Sequence, residues 1–220
     1  MRIAQLTVSC IFSETSSSLQ ELNQVPSLLQ EYKSCLATRK FDEAKKINKE
    51  INDLITNEIN TTGEELWNFA DGLQWRADRF EESIPVLFAT ASLFKKEGNL
   101  YDMSWSVGYG GYAVPWEGMH GAIRSMIERD VTMKEVAKHH VIPLMHDVKN
   151  QMLEMTSVSE KDNCERMSWV LACIAVSEEL IDDDVAAKEA REESKVWKER
   201  RRRIEEQGSK PWRKNIRDVL

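Results

Sequence analysis

Glycine and proline are scarce: 9 Gly and 5 Pro in 220 residues, where average usage gives about 26 of the two together. So few breakers exclude an all-β sandwich, a collagen-like chain and a disordered low-complexity chain. Long apolar runs are also missing. The longest, residues 169–176, is far short of the roughly 20 residues a membrane helix needs. The four cysteines, Cys10, Cys35, Cys164 and Cys173, make no CxxC pair, so neither a zinc finger nor a redox motif is expected. They read as reduced, buried thiols of a cytoplasmic protein. No GK[ST] closes the glycine-rich run at 108–121, which excludes a P-loop. No Ser–His–Asp set and no nucleophile elbow can be picked out. The start, MRIAQLTVSCIF, is interrupted by Gln5 and Ser9 and followed by a polar SETSSS. It makes a poor signal peptide and reads as a first helix or short strand packed on the body.

What is present is a helical composition, with 41% hydrophobic and 30% charged residues. The net charge of -7 is unevenly spread. Residues 195–220 carry +6 and the remainder -13, so the tail can lie against its own acidic body or meet an acidic partner.

The helices follow from apolar spacing. Pro26 suits a first turn, and Leu28, Leu29, Tyr32, Cys35 and Leu36 continue as a stripe. A pause at 38–40 precedes Phe41, Ala44, Ile47, Ile51, Leu54 and Ile55, the second arm of a hairpin. Thr62 with Glu65 reads as a capping box. Helices are expected over 66–75, 80–94, 101–113 and 119–129. Pro143 is expected to kink or split a helix over 131–155. The span 160–181 is apolar nearly all round and reads as the most buried helix. Asp182, Asp183 and Asp184 cap a last, highly charged helix over 185–207.

RKFDEAKKINKEI (39–51), DRFEESIPVLFAT (78–90) and EGMHGAIRSMIER (117–129) recur every 39 residues. Phe41, Phe80 and Met119 are the large residues of the rhythm; Ala44, Ser83 and Ala122 are the small ones. A repeated hairpin cannot bury both faces alone, so neighbours stack. KFDEAKKI and RFEESIPV resemble the start of the second helix of a tetratricopeptide repeat. Trp67, Ala70 and Asp71, and then Trp105, Gly108 and Tyr112, partly match that family's first helix. The period is 39 rather than the family's 34, and its later proline is missing. The resemblance covers residues 26–130. It implies a right-handed helical solenoid whose concave groove binds peptides or protein surfaces.

Trp105, Tyr109, Tyr112 and Trp116 fall on one helical stripe. Such a stripe is either core or an aromatic binding surface, because Tyr and Trp anchor interfaces; with His120 it forms the candidate binding set. Glu135, His139, His140 and His146 are the densest metal-capable set, but Pro143 spoils their alignment, so no metal and no cofactor is expected. Arg200, Arg201, Arg202, Arg203, Lys210, Arg213 and Lys214 form the basic tail. The interspersed Glu199, Glu205 and Glu206 argue against phosphate binding there.

The sequence thus predicts an all-α protein. Residues 1–181 form one helical domain with three stacked hairpins at about 26–130 and a helical C-terminal closure; residues 182–220 form the charged helix and basic tail. The function expected is a non-enzymatic scaffold that presents a tetratricopeptide-like groove to another protein or peptide, or to a second copy of the chain. Two alternatives stay open: a small helical enzyme or ligand-binding protein with an aromatic pocket around 105–120, and a nucleic-acid-associated protein acting through its tail. No membrane partner is expected.

Overall fold

A computed structural model describes residues 18–108, 118–155 and 159–208. The expected N-terminal element and residues 109–117 and 209–220 lie outside the described residues. Among the described residues every regular element is helical, and no helix is long and apolar enough to cross a membrane.

Helix α1 is Ser18–Ala37 and α2 is Phe41–Asn57. Pro26 is not in a first turn but well inside α1. The helix tolerates the lost N–H because Val25, Leu28, Leu29, Tyr32 and Leu36 anchor that face in the core. Helix α3, Gly63–Asp71, starts at the capping box read from Thr62 and Glu65. It runs into one π turn, Gly72–Arg76, where the Ala77 N–H reaches back to Gly72 O. Helix α4 is Phe80–Glu97 and α5 is Leu100–Val107, so the helix expected over 101–113 ends early. Helix α6 is Gly118–Arg129 and α7 is Met133–Val136. A π turn, Ala137–Val141, joins α7 to α8, Ile142–Leu153. That turn places Pro143 in the first turn of α8, where its missing N–H leaves no gap in the ladder. Helices α9, Glu160–Leu180, and α10, Asp184–Gly208, complete the chain.

Each long helix pairs with its neighbour: α1 on α2, α3 on α4, α9 on α10. Helix α4 also packs on α1, α2, α5 and α6, while α9 packs on α5, α6 and α8. Contact on several sides explains why these two helices bury almost every face, Ile84, Val86, Leu87, Ala89 and Ala91 in α4 and Met167, Val170, Leu171, Ile174 and Ala175 in α9. One apolar cluster runs continuously from Val25 in α1 to Ala190 in α10.

The turns before α2 and α4 share a backbone. Arg39 has φ 59° and Asp78 has φ 60°. The residue after each is extended in φ with ψ near 65°, at Lys40 (ψ 67°) and Arg79 (ψ 61°), and a phenylalanine then opens the helix. Ala44, Ser83 and Ala122 are all completely buried, as is Met119; Phe80 is buried and Phe41 partly so. Before α6 the left-handed residue is Gly118 itself, φ 69°, the first residue of the helix, so this turn departs from the other two.

Candidate binding surface

Three helices bring a row of rings together. Trp67 comes from α3, Tyr101 and Trp105 from one face of α5 at i,i+4, and Arg166 and Trp169 from one face of α9 at i,i+3. The Trp67 and Trp105 rings meet edge-on at 6.1 Å and 71°. Tyr101 tilts on Trp105 at 5.6 Å. The Arg166 guanidinium lies 3.8 Å from the Tyr101 ring centre and 4.2 Å from that of Trp169. Each aromatic pair contributes roughly 0.5–1.5 kcal/mol beyond its buried area, and each ring–guanidinium contact about 0.5–2 kcal/mol. The row is not core: Tyr101 is 45% exposed, and Trp67, Trp105, Arg166 and Trp169 are half-buried.

The sequence put Trp105 and His120 in one candidate set; Trp105 is half-buried, whereas His120 is 1% exposed. Helix α5 stops at Val107, and Gly108 and Gly118 then close on each other. A Cβ built on Gly118 would sit 2.5 Å from Trp105 O, 2.9 Å from Gly108 N and 3.0 Å from Gly108 Cα. Two side chains hold this pinch. The Cys173 thiol donates to Gly108 O at 3.4 Å, and Gln74 Nε2 donates to Gly118 O at 3.1 Å and to Ser83 Oγ at 2.9 Å. Tyr109, Tyr112 and Trp116 lie between the two glycines, outside the described residues.

His120 emerges on the α6 face that meets α9 and is 1% exposed. Its Nδ1 is 2.8 Å from Ser177 Oγ, whose hydroxyl proton goes to Cys173 O at 2.9 Å. Nδ1–H therefore donates to Ser177, and Nε2 is left as a buried acceptor without a partner. Burial, helped by Arg124, pushes His120 down to about 4, so the imidazole is neutral. Its surroundings are those of a core histidine, not of a ring in the aromatic row.

The other histidines diverge too. His139 is exposed and pairs with Glu135 at 3.1 Å. His140, one residue on, is fully buried with Nε2 2.7 Å from the Tyr32 hydroxyl. Burial lowers it to about 4 and raises Tyr32. Among the described residues no three metal-capable side chains come together. Cys35, Cys164 and Cys173 are buried and unpaired, and burial lifts the Cys173 thiol to about 12.

In the basic tail, each arginine of the run 200–203 meets a carboxylate. Arg200 reaches Glu160 at 2.6 Å and Arg201 reaches Glu165 at 3.0 Å, both across to α9. Arg202 and Arg203 hold Glu199 at 2.9 and 3.1 Å, and their hydrogen bonds lower its carboxyl to about 2. Arg200 and Arg201 tie α10 to α9, while Arg202 and Arg203 pair within α10. Lys210, Arg213 and Lys214 lie outside the described residues.

The sequence marked Trp67 only as part of a repeat-like helix, and it did not mark Tyr101, Arg166 or Trp169 as binding residues. The available clue was local: an i,i+4 Tyr–Trp pair and an i,i+3 Arg–Trp pair, each confined to one helix face. Only the contact of α5 with α9 brings those faces together. Comparison of the chain with protein-family models, curated proteins and solved structures returns no match, so the functional reading rests on this geometry.

Proposed function

We propose that this protein is an interaction scaffold, a stack of tetratricopeptide-like helical hairpins that presents the Trp67–Tyr101–Trp105–Arg166–Trp169 face to a partner protein in the cytoplasm. The observation that carries the reading is the composition of that face. Trp, Tyr and Arg are the side chains that concentrate binding energy at interfaces, and here they form one partly exposed row with Tyr101 outermost. The rings are held by three packed helices, so little ordering entropy is lost when a partner docks. The recurrence of a left-handed residue, a residue with ψ of 61–67° and a phenylalanine at the start of α2 and α4 supports the hairpin-stack element of the proposal.

A photo-reactive phenylalanine analogue placed at position 101 of the intact chain tests this, with one at the exposed Val196 on α10 as the control. A discrete protein adduct from 101 and none from 196 is the expected result. Equal labelling from both positions, or none from 101, would overturn it.

A further inference from the structure

We infer that the partner presents a carboxylate side chain to Arg166, an assignment that rests on the docking face proposed above. The guanidinium carbon of Arg166 lies over both rings, 3.8 Å from the Tyr101 centre and 4.2 Å from the Trp169 centre. Stacking uses the π faces and leaves the in-plane N–H groups to find acceptors. Among the described residues, Nη1 is buried and has no hydrogen-bond partner. A buried, charged donor left without an acceptor is costly, and native structures rarely keep one without a reason.

The rest of the chain sharpens the contrast. Arg79 meets Glu82, Arg124 meets Glu128, Arg129 meets Asp78 and Arg191 meets Glu179. On α9, Glu165 is engaged by Arg201 and Glu160 by Arg200, and Asp162, one turn before Arg166, accepts the Ser159 hydroxyl proton at 2.6 Å. Arg166 thus holds its charge beside two rings, with no oxygen on Nη1 among the described residues. Tyr101, which lies over the guanidinium, is nearly half exposed, so this contact sits at the surface of the protein.

The chemistry favours a carboxylate over a phosphate. A single guanidinium balances one negative charge and matches a carboxylate in a two-pronged hydrogen bond. A phosphate monoester carries nearly two charges and gains most from a cluster of cations, whereas the other side chains of the row are neutral rings. Those rings give the residue beside the carboxylate an apolar seat. The occupant is therefore an acidic residue flanked by an apolar one in a partner protein.

The test uses three blocked dipeptides, acetyl-Leu-Glu-amide, acetyl-Leu-Gln-amide and acetyl-Leu-phosphoSer-amide, titrated into the full chain. The indole N–H resonances of Trp67, Trp105 and Trp169 report binding. The glutamate probe should move the Trp105 and Trp169 signals with an affinity about tenfold above that of the glutamine probe, as for one charge-assisted hydrogen bond pair. Arg166→Gln should bring the two probes level, and Arg166→Lys should recover only part of the difference, because it keeps the charge and loses the plane. Unchanged far-ultraviolet circular dichroism shows that the variants fold. The inference is overturned if glutamate and glutamine probes bind alike or not at all, if Arg166→Gln still separates them, or if the phosphoserine probe binds best. If adducts form at position 101 while the probes tie, the docking face stands and the carboxylate assignment alone falls. If no adduct forms, the face itself falls.

Discussion

Gly118→Ala is the sharpest test of the structure, because its cost can be worked out from backbone atoms alone. Gly118 has φ 69°, a left-handed conformation that costs an L-residue about 1–2 kcal/mol. The added Cβ would also press on Trp105 O at 2.5 Å and on Gly108 N at 2.9 Å. Both are main-chain atoms that no rotamer change can move. Relieving such overpacking costs roughly 1–3 kcal/mol, while alanine gains about 0.4–1 kcal/mol by restricting the unfolded chain. The net loss is about 2–4 kcal/mol, a large share of the roughly 5–15 kcal/mol that stabilises an ordinary domain. Gly72→Ala is the internal control. Gly72 has φ -60° and ψ -37°, and its Cβ would meet nothing within 4 Å, so alanine should stabilise by about 0.5–1 kcal/mol. Urea unfolding of the two variants beside the parent reads the difference directly. With a slope of about 2 kcal/mol per molar, the Gly118→Ala midpoint should fall by roughly 1–2 M and the Gly72→Ala midpoint should rise slightly. A Gly118→Ala midpoint within a few tenths of a molar of the parent would refute the pinch between Gly108 and Gly118.

Two further outcomes follow. His120 and His140 stay neutral down to about 4 in the folded chain, whereas unfolded imidazoles protonate near 6.5. Above about 6.5 neither state takes up protons and stability is flat; below it the unfolded chain alone gains them, so stability falls towards pH 4. By pH 5 each histidine should cost about 1–2 kcal/mol, and urea titrations of His120→Gln and His140→Gln should each show a shallower slope between pH 6.5 and 5. An unchanged slope in both would contradict their burial. Arg39→Gly and Asp182→Gly should move stability in opposite directions. Both relieve a left-handed backbone, but Arg39 forfeits bonds to Leu36 O, Thr132 O and Thr132 Oγ1 at 2.9–3.0 Å, while Asp182 forfeits one exposed pairing with Lys134, a class that contributes about 0–1 kcal/mol. Thermal unfolding should show Asp182→Gly level with or above the parent and Arg39→Gly below it.

The all-helical architecture was legible because apolar spacing and the shortage of breakers act locally. Thr62 and Glu65 announced a helix start for the same reason, whereas the kink or split expected at Pro143 is instead a π turn within continuous helix. The end of α5 was not legible. The period of Trp105, Tyr109 and Tyr112 continues past Val107, and only the tertiary closure of Gly108 on Gly118 overrides it. Trp105 belongs to α5, while His120 meets Ser177 at the α6–α9 contact. Arg166 was invisible for a related reason. Its partners Tyr101 and Trp169 come from different helices, and nothing in the sequence of α9 alone distinguishes a stacked guanidinium from a solvated one.

The left-handed residues explain more of the fold than their number suggests. Arg39, Asp78 and Asp182 close three different helix junctions, at sites where glycine would be less strained. Each instead carries a charged side chain, and all three side chains reach the short stretch that runs from the end of α6 into α7. Arg39 binds Thr132, Asp78 pairs with Arg129, and Asp182 pairs with Lys134 at 2.5 Å. Arg129 also lies 4.5 Å over the Phe80 ring, the residue that opens α4. Strain at the three turns is thereby exchanged for ties to one common segment. Individually the exposed ties are weak, but they share their partners' backbone, so loosening residues 129–134 loosens three junctions together. The turns at Arg39 and Asp78, 39 residues apart, thus share a left-handed backbone and a side chain directed to the stretch 129–134.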